Sequence, residues 1–334
     1  MLTDERPGRG TAPTDEAGST TTAPPPPDRR LLRRQRLSRW DVRLSPYLYI
    51  SPFFVLFALV GLFPLLYTGY LSVHDWDKIY RQRGEFTGWE NFDFVLHDPI
   101  FQKALVNTFS IFLMSSIPQI VIAVSIAALL DNQLRASTFW RMSVLLPFVV
   151  APAATALIFG SFFADQSGLI NTTLREIGLE PIRWHVDRLW SHVAISSMVN
   201  WRWTGYNTLI FLAAMQAVPR DLYESAAIDG AGRLRQFFSV TLPMIRPTMI
   251  FIIVTSTIGG LQIFTEPRLF DDSISREGGA DHQYMTVALY IYDRGIVDGF
   301  YGRASAAAWI LFLIIVGIAL LNFALTRYVT RRNA

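Results

Sequence analysis

The residues that stand out in this chain are polar side chains inside long apolar runs. Arg202 is the one charge between Leu189 and Pro219. Val199, Trp203 and Tyr206 neighbour it by helical spacing, with Asn200 and Asn207 on adjoining stripes. Ring faces next to hydrogen-bonding groups suit a sugar, which offers C–H groups on its face and hydroxyls at its edge. A charge at the centre of a bilayer costs about 2.5 to 3.5 kcal/mol on insertion scales, so Arg202 is expected to face a cavity or a partner. A second set, Thr255, Gly259, Gln262 and Glu266, is separated by four, three and four residues, so a continuous helix would turn all of them one way. Gly259-Gly260 permits a bend or a close helix contact, and Glu266 lies near the outer edge. The plainer reading is that Arg202 pairs with an acid of another subunit, the tryptophans pack, and Gln262 bonds a neighbouring backbone.

Catalytic sets are missing. There is no Gly-x-x-x-x-Gly-Lys phosphate loop, so the chain is not expected to hydrolyse ATP itself. No His-Glu-x-x-His occurs, and the five histidines, His74, His97, His185, His192 and His282, read as loop or packing residues rather than metal ligands. Zero cysteines exclude disulfides, thiolate chemistry and cysteine-ligated metals. Asp271-Asp272 reads as a pair of surface acids. No catalytic residue, metal or cofactor is expected.

The elements that position these residues must be membrane helices. The chain is 51% hydrophobic and 17% charged, against roughly a quarter charged in soluble domains. About 20 apolar residues span a bilayer as a helix, and six stretches qualify: 44–73, 104–130, 142–164, 189–219, 247–265 and 304–326. The stretch His282 to Tyr292 is too short and reads as an external packed or interfacial element. With both termini inside, the inner stretches carry sixteen arginines against six acids, and the outer loops eleven bases against seventeen acids. Cationic loops are retained in the cytoplasm, so both termini are expected there. The formal charge of +3 is too slight to imply nucleic acid. Residues 1–43 read as a disordered cytoplasmic tail that ends in a basic anchor, Arg29 to Arg43, with 44–330 as the transmembrane domain.

The inner connection between the fourth and fifth spans reads as a short helix with marked ends. Pro219 stops the membrane helix, Asp221 serves as N-cap, and Gly230 and Gly232 close it. Leu222, Ala226 and Asp229 or Gly230 form one stripe, its small residues letting another surface approach. Pro243 and Pro247 restart the chain into span five.

At these residues the sequence resembles the membrane subunits of binding-protein-dependent ATP-binding-cassette importers. Glu224, Ala226, Gly230, Val240, Leu242 and Pro243 fit the spacing of that family's cytoplasmic loop, with Ser225 in place of its first alanine and Val240 in place of isoleucine. The resemblance covers about residues 45–330. Phe101 to Thr108, Gly168 to Asn171 and Asp229 to Gly232 look like its carbohydrate-uptake, maltose-type branch, and Leu261 to Pro267 looks like permeases for cellobiose and related β-linked oligosaccharides of Gram-positive actinobacteria.

The resemblance implies an all-α, multi-pass protein of a bacterial plasma membrane with six transmembrane helices and a cytoplasmic coupling helix between helices four and five. Glu224, Ala226, Asp229, Gly230, Leu242 and Pro243 would then couple to the ATPase. Asn200, Arg202, Trp203, Tyr206, Thr255, Gln262 and Glu266 would line the path of a di- or oligosaccharide such as cellobiose. The implied partners are a second permease subunit, a dimeric ATP-binding-cassette ATPase and an extracellular sugar-binding lipoprotein. The rival is an ion-coupled secondary transporter or channel using Arg202 and Glu266, which leaves the 218–247 pattern unexplained.

Overall fold

The computed structural model describes residues 45–77, 83–131, 136–270 and 278–332, with the backbone alone from 325 onward. The expected tail 1–43 with its basic anchor, Arg135 and Asp271-Asp272 lie outside the described residues. The chain divides into two units, Met1–Pro64 and Leu65–Ala334.

Helix α1, Ser45–Ser72, is apolar and carries no buried residue across its most hydrophobic window. In the first unit, Phe53, Phe54 and Phe57 are exposed and lie against one another, Phe53 and Phe57 stacked at 6.4 Å. After α1 comes an antiparallel hairpin, β1 (His74–Trp76) with β2 (Arg83–Phe86), a departure from a purely helical chain. Its register slips between Asp75 and Trp76, where Gly84 of the facing strand has φ of +81°. Helix α2, Glu90–His97, leads into α3, Pro99–Asp131.

The 33 residues of α3 make it about 50 Å long, ample to cross a hydrocarbon core of about 30 Å. Ala104, Thr108, Ile111, Ser115, Gln119, Ala123 and Ala127 form its buried stripe. Hydrophobicity does not drive helices together in lipid, so small residues that permit close contact and polar rungs across the seam must do so. Its partner is α7, Arg188–Gln216. Down the seam, Arg188 Nε donates to Asn107 Oδ1 at 3.0 Å and Ser110 Oγ meets His192 Nδ1 at 2.8 Å. Deeper, Ser196 Oγ donates to the Ile111 carbonyl at 3.3 Å and Asn207 Nδ2 to Gln119 Oε1 at 3.1 Å. Each such bond contributes about 0.6 kcal/mol on average.

The third expected span, 142–164, is corrected. It is two helices, α4 (Ser137–Val149) and α5 (Pro152–Phe162), bent by 89°. The cause is local: Pro152 has no N–H to donate and its ring holds Ala151 extended, at φ −58° and ψ 139°. Helix α6, Leu169–Glu176, follows, and Asn171 fastens its loop by donating to the Asp165 and Ile182 carbonyls and accepting from Ile182 N–H.

After α7 come α8 (Arg220–Ile228), short helical turns to Met244, and α9 (Arg246–Leu261). The fifth expected span, 247–265, lies within the apolar span Arg246–Leu269, which is interrupted between the end of α9 at Leu261 and α10, Thr265–Leu269. The stretch 282–292 is packed, as expected, with α11 at Val287–Tyr292 and with Tyr284 and Tyr290 buried. There Tyr290 donates to Asp98 Oδ2 at 2.7 Å, and burial together with that carboxylate pushes the phenol above its usual range. Helix α12, Tyr301–Arg332, ends the described chain. Four of these helices are long and apolar enough to cross a membrane, five if the bent pair counts as one. The 29-residue α7 is not among the four, because buried Ser191, His192, Ser196, Arg202, Asn207 and Thr208 lower its hydropathy.

Candidate functional site: an aromatic face, a buried ion pair and an inner loop

The aromatic face is set by a glycine. A methyl group added at Gly205 of α7 would lie 1.8 Å from the Val144 carbonyl oxygen of α4, so only glycine admits this approach. One turn along α4, Phe148 therefore stacks on Tyr206, with ring centroids 4.7 Å apart and planes 22° apart. Trp203 meets Phe148 edge-on at 5.3 Å and Tyr206 at 5.8 Å. Trp203 and Tyr206 remain about a third exposed, at 36% and 38%. Such rings can stack against the C–H face of a ligand. Asn200, one turn before Trp203, has its Oδ1 buried without a hydrogen-bond partner among the described residues. Asn207 is already occupied by Gln119.

Arg202 does not join this face. It is buried beside Val199 and donates from Nη1 to Glu266 Oε1 at 3.0 Å, while its guanidinium lies 5.7 Å from the Trp203 ring centre. The partner is an acid of this chain. Glu266 is likewise corrected: it is buried, at 5% exposure, and is not a solvated edge residue.

The stripe on span five is corrected as well. Thr255 and Gly259 are exposed on α9 and Gln262 is exposed just past its end, but Glu266, beyond the break after Leu261, is buried against Arg202. Thr255 Oγ1 donates to the carbonyl of Phe251 at 2.9 Å. The close helix contact comes from Gly260 alone, where an added methyl would meet the Phe112 ring at 2.6 Å, while Gly259 borders open space.

At the inner loop, α7 stops at Gln216, three residues before Pro219. Pro219 itself takes the N-cap position of α8, and Asp221 sits in the first turn, not at the cap. Gly230 adopts φ of +79° and closes the helix, its N–H donating to Ala227 O at 3.0 Å and that of Ala231 to Ala226 O at 2.9 Å. Gly232 opens the next turn instead of closing this one. Tyr223 OH bonds Thr241 Oγ1 at 2.9 Å, and Tyr223, Phe237, Val240 and Leu242 pack on the core around Phe211, Met215 and Ile245. Glu224, Asp229 and Pro243 stay exposed and Ala226 half-buried. Beside them Ile228, Leu234 and Phe238 are 87%, 73% and 58% exposed.

Phe148, Gly205 and Ile228 were not singled out from the sequence. The signal for Gly205 was its place between Trp203 and Tyr206; Phe148 meets that face only through tertiary packing.

Residues 96–334 match the family described as binding-protein-dependent transport system inner membrane component. The chain belongs to this family. As a member it is a transport subunit of a multi-pass membrane system, not an enzyme. It is similar to the lactose transport system permease protein of Rhizobium radiobacter, 36% identical over 297 residues, covering 87% of this chain and 95% of that one. An arabinooligosaccharides transport system permease protein of Halalkalibacterium halodurans is 31% identical, covering 85% of this chain and 88% of its own. In fold it is similar to a chain from the crystal structure of a bacterial alginate ABC transporter in complex with an alginate pentasaccharide-bound periplasmic protein. The two are 22% identical with a TM-score of 0.74, covering 88% of this chain and 98% of that chain.

Proposed function

We propose that this subunit forms part of the path for a di- or oligosaccharide such as cellobiose in an ATP-binding-cassette importer, and that α8 is its coupling helix. The observation that carries the coupling reading is the form of the inner loop. A closed helix anchored by Tyr223 and Thr241 presents Glu224 and Asp229 next to exposed Ile228, Leu234 and Phe238. A monomer has little reason to display such an apolar patch, which suits the groove of an ATPase subunit.

The substrate reading rests on the aromatic face of Trp203, Tyr206 and Phe148, with Thr255 exposed on α9 and Gln262 exposed at its end. The similarity to the lactose and arabinooligosaccharides permease proteins supports a sugar. A second permease subunit completes the cavity, a dimeric ATPase drives it, and a sugar-binding lipoprotein delivers substrate from outside. The chain then crosses a bacterial plasma membrane six times, with the bent pair as the third crossing, α7 as the fourth and both termini cytoplasmic. An ion-coupled mechanism is disfavoured because Arg202 and Glu266 compensate each other.

The test is Glu224→Ala in the whole transporter. ATP-driven sugar uptake is expected to fall by about tenfold or more, as on losing an interface anchor, while sugar binding to the lipoprotein is unchanged. Unaltered uptake would refute the coupling role.

A further inference from the structure

From the Arg202–Glu266 pair we infer that Glu266 is a specificity-determining residue: by compensating Arg202 it makes this subunit's part of the path selective for uncharged saccharides over acidic ones. The inference rests on the proposed sugar path and adds its charge class.

Both members of the pair are buried, their side chains 10% and 6% exposed, and Nη1 and Oε1 lie 3.0 Å apart. Among the described residues Glu266 is the hydrogen-bonding partner of Arg202, and the guanidinium Nε is buried without one. Among the described residues no second acid pairs with this cation. Lys, Arg, Asp and Glu are otherwise missing from these stretches: 142–164 and 247–265 hold none of them and 189–219 holds Arg202 alone, its one histidine being His192, ten residues earlier and hydrogen-bonded to Ser110.

The position of the cation makes the compensation matter. Its guanidinium carbon is 5.7 Å from the centre of the Trp203 ring, and that ring belongs to the exposed aromatic face. A saccharide stacked there would sit within about 10 Å of a full positive charge in a medium of low dielectric, where unscreened Coulomb interactions are strong. With Glu266 ionised the pair acts as a dipole whose field fades quickly, so a neutral sugar meets aromatic faces and an acidic sugar gains no counter-charge for its lost hydration. Glu266 does not reach the exposed face itself, because the break after Leu261 turns it inward. It acts through Arg202, as a positioning and compensating residue.

The experiment uses the transporter assembled in nanodiscs with its partner permease and ATPase but without the binding protein, so that the selectivity measured is the permease's own. Binding of radiolabelled cellotriose is compared with that of its C6-oxidised uronate. The wild-type complex is expected to prefer the neutral sugar. Glu266→Gln should shift the neutral-to-uronate ratio toward the acid by on the order of tenfold. Glu266→Asp should retain the wild-type ratio, and the double variant R202M/E266Q should restore it, results a merely structural role would not produce.

A Glu266→Gln ratio equal to the wild-type one, or a shift that persists in the double variant, overturns the proposal. If Glu266→Gln does not assemble, the wild-type ratio decides, and equal or tighter binding of the uronate overturns the inference. A complex that holds neither sugar, with Tyr206→Ala indistinguishable from wild type, refutes the sugar path itself and the inference with it. Sugar binding that Tyr206→Ala weakens but charge does not steer refutes the inference alone.

Discussion

Tyr206 and Trp203 are exposed where the rest of the α7 seam is buried, and Phe148 holds Tyr206 by a near-parallel stack. An aromatic pair contributes about 0.5 to 1.5 kcal/mol beyond its burial. Phe148→Leu is therefore expected to lower sugar uptake by up to about tenfold with unchanged amounts of assembled complex, measured as transport per transporter. Tyr206 was legible in the sequence because an aromatic next to an intramembrane arginine is unusual. Phe148 was not, because its role depends on which residue of another helix lies opposite. Glu266 was noticed for its spacing, but three-and-four spacing predicts a shared face only while the helix continues. The break after Leu261 ended that premise and converted a supposed edge residue into the partner of Arg202.

Among the helices, the α4–α7 crossing depends on one position. A side chain at Gly205 would collide with backbone, which has no rotamer to yield, so Gly205→Val should force the two helices apart. Overpacking of this kind typically costs about 1 to 3 kcal/mol. A lower thermal midpoint of the purified complex, together with impaired transport, is the expected result; an unchanged midpoint would show that the crossing can relax. Charge-free length found four of the six expected spans as long apolar helices, five if the bent pair counts as one, because it measures how much backbone lipid can accept. It carries no information on direction, which is why the 89° bend was missed even though Pro147 and Pro152 stood in the sequence. The close of α8 was legible from Gly230, which permits a positive φ, whereas its start was expected at an Asp221 cap and falls at Pro219, whose fixed φ suits that position equally well.

For the molecule as a whole, the arginine asymmetry argues for cytoplasmic termini. The chain has no cysteine, so a single introduced thiol reports unambiguously. With a membrane-impermeant maleimide on intact cells, Thr173→Cys on α6 should label at once and Ser239→Cys in the inner loop only after permeabilisation. Both positions are exposed. The reverse pattern would invert the topology. At this scale the reading rests on the sequence alone, because the sorting of charge between loops survives any rearrangement of helices within the bilayer.

The bend between α4 and α5 has a consequence for what surrounds the subunit. Around it Val149 and Ala151 are exposed and Val150 and Ala151 are extended; the Val150 N–H still donates to the Pro147 carbonyl and the Ala151 carbonyl accepts from Thr155, but the helical ladder is interrupted between them. Hydrocarbon does not tolerate such backbone, which is found at membrane depth only against protein or water. At membrane depth this edge, from which α4 presents Phe148, is therefore one for protein or water to cover and not acyl chains.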